Sequence, residues 1–145
     1  MNFIQGLFSD KTFLTIISGV TILVLGQGIQ KFILQPIQDL RFWIGQISHK
    51  VKFHSNVLTN ARLPKTLVTV ARGDMRDLSC NLEARYLVIP FRKPLSFIGA
   101  IPKNEDIKEA SQQLIFLSNA GGEEGGGVKN AEAIDKIKKS LKIEL

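Results

Sequence analysis

Two patterns of apolar residues divide the chain. From Thr12 to Ile29 the sequence TFLTIISGVTILVLGQGI carries no charge, and the apolar character continues to Gln35. At about 1.5 Å per residue this stretch crosses the roughly 30 Å hydrocarbon layer of a bilayer, with Lys31 close enough to its end to snorkel. It predicts a transmembrane helix over residues 12–35. Beyond it, Ile33, Ile37, Leu40, Ile44, Ile47, Val51, His54 and Leu58 recur at steps of four and three. That spacing predicts an amphipathic helix from about Ile37 to Asn60. Traced backwards through Ile29, Gly26, Ile22, Gly19 and Thr15, the same stripe enters the apolar stretch, with one extra four-residue step near Pro36. Pro36 therefore either kinks a continuous helix or opens a new one at its first turn, and in both cases is a candidate hinge.

Three further helices follow by the same rule. Leu67, Ala71, Met75, Leu78, Leu82, Tyr86 and Ile89 mark one from Lys65 to Ile89, weakened by Gly73 and ended by Pro90. Ile107, Ala110, Leu114 and Leu117 mark the next, after Pro102, with Glu105 and Asp106 in its first turn and Asn119 and Gly121 closing it. The run GGEEGGG over 121–127 predicts a flexible loop. A last helix is expected from about Asn130, an N-cap residue type, with Ile134, Ile137, Leu141 and Leu145 as its face. The expected class is all-α: a single N-terminal membrane helix and a small bundle of about four helices over 36–145.

Short connections favour up-down-up-down packing. The first helix then leaves the membrane and the second returns, so PFRKPLSFIGAIP (Pro90 to Pro102) lies near the bilayer. Phe91, Leu95, Phe97 and Ile98 beside Arg92 and Lys93 suit an interfacial contact, and equally suit a cap on the bundle core. Residues 1–11 hold Phe3, Ile4, Leu7 and Phe8, the pattern of an interfacial segment.

Charge orients the anchor. Lys11 stands before it, opposed by Asp10, whereas Lys31, Arg41, Lys50 and Lys52 follow it against Asp39 alone. The C-terminal part is expected in the cytoplasm. A cleaved signal peptide fits poorly, because no basic run precedes the apolar stretch and no small-x-small site follows it. Within the span, Thr15, Gly19 and Gly26 form a small-residue face of the kind that lets helices approach in lipid. With Ile33, Ile37, Leu40, Ile44 and Ile47 they make up the expected self-association surface.

The net charge of +6 favours anionic partners. Arg72 and Arg76, one turn apart, could grip a phosphate or pair with Asp74 and Asp77; Arg92, Lys93, Lys136 and Lys139 are further candidate contacts for anions or lipid. Lys138 and Lys142 extend the last basic face, which serves equally as a solvated surface. No recognisable nucleic-acid module or stacking platform appears, so nucleic acid is not an expected partner.

No catalytic set, cofactor or metal is expected. His49 and His54 are five residues apart and point to different sides of a helix, and His54 falls on the apolar seam as a satisfied core or interface residue. Glu105, Asp106 and Glu109 are explained by the helix dipole. GxSxG, HExxH and CxxC are absent, and the glycine-rich run lacks the GK[ST] of a phosphate loop. Cys80, the single cysteine, is expected to be a small buried residue.

Three segments taken together, LQPIQDLRFWIGQISHKVKFHSNVLTN (Leu34 to Asn60), LSCNLEARYLVIPF (Leu78 to Phe91) and IPKNEDIKEASQQLIFLSN (Ile101 to Asn119), resemble a widespread family of small bacterial proteins with one N-terminal membrane helix and a cytoplasmic helical domain. The resemblance implies a bacterial inner-membrane setting and imports no activity. The expected function is a non-enzymatic, membrane-anchored interaction module that self-assembles. Two alternatives stand beside it: a ligand-gated effector that forms a pore or lesion, and an accessory subunit of a larger membrane complex.

Overall fold

The computed structural model describes residues 11–59, 64–120 and 126–143. Every element among them is helical: α1 (Lys11–Ile29), a π-helical turn (Gln30–Leu34), α2 (Gln35–Thr59), α3 (Lys65–Val88), α4 (Arg92–Phe97), α5 (Asn104–Asn119) and α6 (Gly126–Leu141). The all-helical class expected from the periodicity is what the chain adopts. The interfacial segment expected over 1–11 lies outside the described residues apart from Lys11, as do Gly121 and Leu145. Packing separates the chain into two units, divided between Gln35 and Pro36.

The first unit contains α1 and the π turn. No residue of α1 is buried. Two of its hydroxyls are satisfied within the helix: Thr15 Oγ1 donates to the Lys11 carbonyl at 2.8 Å and Ser18 Oγ to that of Leu14 at 2.6 Å. Helical backbone runs unbroken from Lys11 to Thr59, so Pro36 does not open a separate helix. The π turn explains how it is tolerated. Proline lacks an N–H and its ring crowds the carbonyl four residues back. The Gln35 N–H reaches back five residues to the Gln30 carbonyl, which loosens the turn where that crowding falls. The extra step in the apolar stripe, between Ile29 and Ile37, sits on this same turn. Pro36→Ala is expected to stabilise the protein and raise its melting temperature, by less than the roughly 3 kcal/mol cost of an interior proline because the π turn already relieves the strain. A lower melting temperature would mean that the ring itself supports the turn.

The second unit is built on an enclosed apolar core. Leu40, Ile47, Val51, Met75, Leu82, Leu114, Leu117 and Ile137 are fully buried, each contributing roughly 1.5–3 kcal/mol by removal from water. The direction of the helices follows from their polar contacts. Asp39 meets Arg85 and Lys50 meets Asp74, so α2 and α3 are antiparallel. Arg72 reaches Ala120 while Ser79 reaches Ser111, so α3 and α5 are antiparallel. Asn130, early in α6, donates to the Leu58 carbonyl at the end of α2 at 2.6 Å. The result is up-down-up-down, with α4 filling the turn between α3 and α5.

Several expectations need correction. Ile37, Leu40 and Ile47, predicted to face a second copy, lie in this unit's own core, and Ile44 is half-buried. The chain's other helices cover that face, so it is not free for self-association. Gly126 and Gly127 belong to α6 and not to a loop over 121–127, and Asn130 is an interior helical residue and not an N-cap. The Pro90–Pro102 segment is not irregular throughout but contains α4. Leu67 and Cys80 are exposed.

Candidate functional site

The basic residues of α3 turn out to be structural. Arg72 Nη2 donates to the Ala120 carbonyl at 2.6 Å, and Arg76 Nη2 to Asn119 Oδ1 at 2.8 Å. Arg72 thus caps the C-terminal end of α5, where carbonyls lack helical partners and the dipole is negative, and Arg76 holds the side chain of its last residue. They neither form an open anion grip nor pair with Asp74 and Asp77. Asp74 instead accepts from Lys50 Nζ at 2.8 Å and His54 Nε2 at 2.7 Å. Burial pushes the Asp74 carboxyl up, but the hydrogen bonds and charges of Lys50 and His54 outweigh it and hold the group below the ordinary 3.8. His54 is thus a satisfied core histidine, as its place on the seam suggested. A second polar link joins α3 to α5: Ser111 donates to Glu83, leaving its oxygen to accept from Ser79 at 2.8 Å.

With those groups committed to holding the bundle, one group of exposed aromatic and basic side chains stands out at the end of the unit that holds Pro36, around Arg92–Phe97. The local fold there follows from three backbone devices. Pro90 ends α3 after an extended Ile89. Phe91 then takes a left-handed conformation, φ 52, and starts α4. Gly99, at φ 75, closes α4: its N–H donates to the Ser96 carbonyl while the Ala100 N–H reaches that of Leu95. This is the double bond of a Schellman stop, which requires a left-handed residue and so favours glycine. Arg41 of α2 fastens the turn by donating to the Ala100 carbonyl at 3.2 Å.

α4 and its flanks split into two faces. Ile101 is buried and Leu95 half-buried, as a core cap would require. Phe91, Phe97 and Ile98 face solvent, at 71, 91 and 72% of full exposure. The core cap is therefore made by Ile101 and Leu95 alone, and Phe91, Phe97 and Ile98 take no part in it. Beside the aromatics runs a cleft of about 720 Å³, lined by Tyr86, Arg92, Lys93, Ser96, Phe97, Lys103, Asn104 and Glu105. Three cations thus face one carboxylate. The Arg92 guanidinium stacks 5.5 Å from the Tyr86 ring centre. Burial raises the Tyr86 phenol above its ordinary value, and Arg92 opposes this less strongly.

The other predicted site residues are dispersed. Thr15, Gly19 and Gly26 are exposed on α1, with open space beside both glycines, and Ile33 is half-exposed. Lys93, Lys136 and Lys139 are exposed, and Arg92 is half-buried against Tyr86. Tyr86, Lys103 and Asp74 were missed as members of sites. Tyr86 read as core, and the partners of Asp74 lie some twenty residues away on another helix. Among the described residues no three His, Cys, Asp or Glu side chains converge as a metal site would need. No family model, curated protein or solved structure matches this chain.

Proposed function

We propose that the chain is a membrane-anchored, non-enzymatic interaction module, held in a bacterial inner membrane by α1 with its helical unit in the cytoplasm. One observation carries the reading. α1 is long and apolar enough to cross a bilayer and none of its residues is buried, while the second unit has an enclosed core of its own. A water-soluble protein gains little by exposing Ile16, Ile22, Leu23 and Leu25 together. Their exposure suits lipid, and the internally bonded hydroxyls of Thr15 and Ser18 remove donors that lipid cannot satisfy. The excess of lysine and arginine after α1 favours the cytoplasmic orientation, and a C-terminal reporter active only in the periplasm would sink it.

Self-association is the second element of the proposal, now confined to Thr15, Gly19, Gly26 and Ile33. Open space beside Gly19 and Gly26 supports a surface where another backbone can approach. Gly19→Ile and Gly26→Ile are expected to lower the native mass of the detergent-solubilised protein while leaving insertion intact. Unchanged mass in both variants removes self-association. A stable, stoichiometric second chain in the same measurement would make the protein an accessory subunit instead. Leakage of dye-loaded vesicles would favour a pore-forming effector that responds to an anionic ligand.

A further inference from the structure

We infer that the Pro36 end of the helical unit docks on the surface of an anionic bilayer, with Phe91, Phe97 and Ile98 in the interfacial layer and Arg92, Lys93 and Lys103 on lipid phosphates. The inference rests on the membrane-anchor reading and adds a second, peripheral contact to it.

Apolar exposure supplies the first argument. Phe97 is 91% exposed on a helix of six residues whose other face is anchored by Leu95 and the neighbouring Ile101. The aromatics are therefore held outward by a fixed turn. Phe91 keeps a left-handed backbone, φ 52, that costs an aromatic residue energy and leaves its ring in solvent. The backbone of Phe91 serves the turn, its carbonyl accepting from the Leu95 N–H, but the exposed rings of Phe91 and Phe97 bury little within the unit.

Charge selects the occupant. Arg92, Lys93 and Lys103 border the same patch, and the cleft they line holds Glu105 as its one acid. A second copy docking symmetrically through this patch would bring like cations together, which is unfavourable. An anionic lipid surface accepts both halves of the pattern, because aromatic rings settle at the head-group level and basic side chains pair with phosphate.

Continuity supplies the third argument. Arg41, which fastens the α4 turn through Ala100, lies in the second turn of α2, close in sequence to Pro36. The patch thus sits at the end of the second unit from which the chain enters the anchor. The last turn of α6 reaches the same end, where Leu141 and Lys142 line a cleft of about 340 Å³ with Leu40, Arg41 and Ile101.

The test uses the full chain reconstituted in vesicles, with Cys80→Ser removing the exposed native thiol. Single nitroxide labels are placed at Leu23→Cys in α1, Phe97→Cys in α4 and Val70→Cys near the opposite end of the bundle. Collision with oxygen and with a water-soluble nickel chelate is compared in phosphatidylcholine vesicles and in vesicles containing phosphatidylglycerol. The label at 97 is expected to be shielded from nickel in the anionic vesicles and to return to water in neutral ones. Reversing Arg92 and Lys93 to glutamate should lower the ratio of immersed to free label at 97 by roughly fivefold for each lost cation, while the label at 23 stays immersed. A label at 97 as wet as that at 70, with 23 immersed, overturns the docking and spares the anchor. A wet label at 23 overturns the anchor reading itself. Shielding at 97 that ignores both lipid charge and the reversals overturns the anionic surface as the occupant.

Discussion

Gly127→Ala is expected to destabilise the helical unit by about 2 kcal/mol, whereas Gly45→Ala and Gly73→Ala stabilise it by about 1 kcal/mol each. All three glycines lie inside helices, where alanine is the better helix former by close to 1 kcal/mol. Beside Gly45 and Gly73 there is open space, so propensity decides the sign. At Gly127 an added Cβ would lie 2.5 Å from the Thr59 carbonyl oxygen. That neighbour is backbone and cannot rotate away, so α6 must shift from α2. Such a shift also strains the bond from Asn130 to the Leu58 carbonyl one turn further on. Chemical unfolding of the detergent-solubilised protein, followed by helical circular dichroism, separates the two outcomes. A stabilised Gly127→Ala would mean that α6 does not approach α2 so closely.

The same glycine shows where sequence reasoning stops. The stripes Leu78–Leu82–Tyr86 and Ile107–Leu114 repeat at helical spacing, and burial of one face suffices to set each helix. α1 was legible from its lack of charge. The start of α6 was not, because GGV has poor helix propensity and the close approach of Gly127 to Thr59 is a tertiary feature with no local signal. α4 was hidden for a related reason: six residues with a central proline carry no readable period. Cys80 lies two residues from both Leu78 and Leu82, off their stripe. Its position argued for exposure, and the general habit of cysteine to be buried was the weaker guide. The arginines of α3 were misassigned because their partners at the end of α5 are more than forty residues away. The patch at the Pro36 end was half legible. Its composition suggested an interface, but only the structure divides Leu95 and Ile101 from Phe97 and Ile98.

The largest effect on the polar framework is expected at Asp74. Asp74→Ala should cost about 2–3 kcal/mol at pH 7, and Asp74→Asn somewhat less. The carboxylate takes hydrogen bonds from Lys50 and from the buried His54, whose side chain is 7% exposed. Alanine leaves the His54 N–H without a partner in the core, whereas asparagine keeps a neutral acceptor and loses only the charge. The pH dependence has a definite sign. The folded carboxyl is held below the ordinary 3.8 by Lys50 and His54, against the opposing effect of burial. The folded state therefore binds this proton less tightly than the unfolded chain. Its stabilising contribution is complete above the unfolded value and is lost as pH falls through the folded one. Unfolding free energies should differ between wild type and Asp74→Asn at pH 7 and converge below about pH 3.8. Asp77→Asn is the control, since Asp77 is exposed and its carboxylate is bonded by Asn81 one turn along the same helix. It should change stability by no more than about 0.5 kcal/mol at either pH. An Asp74→Asn deficit that persists unchanged in acid would show that shape, and not the charge on this carboxylate, holds α3 against α2.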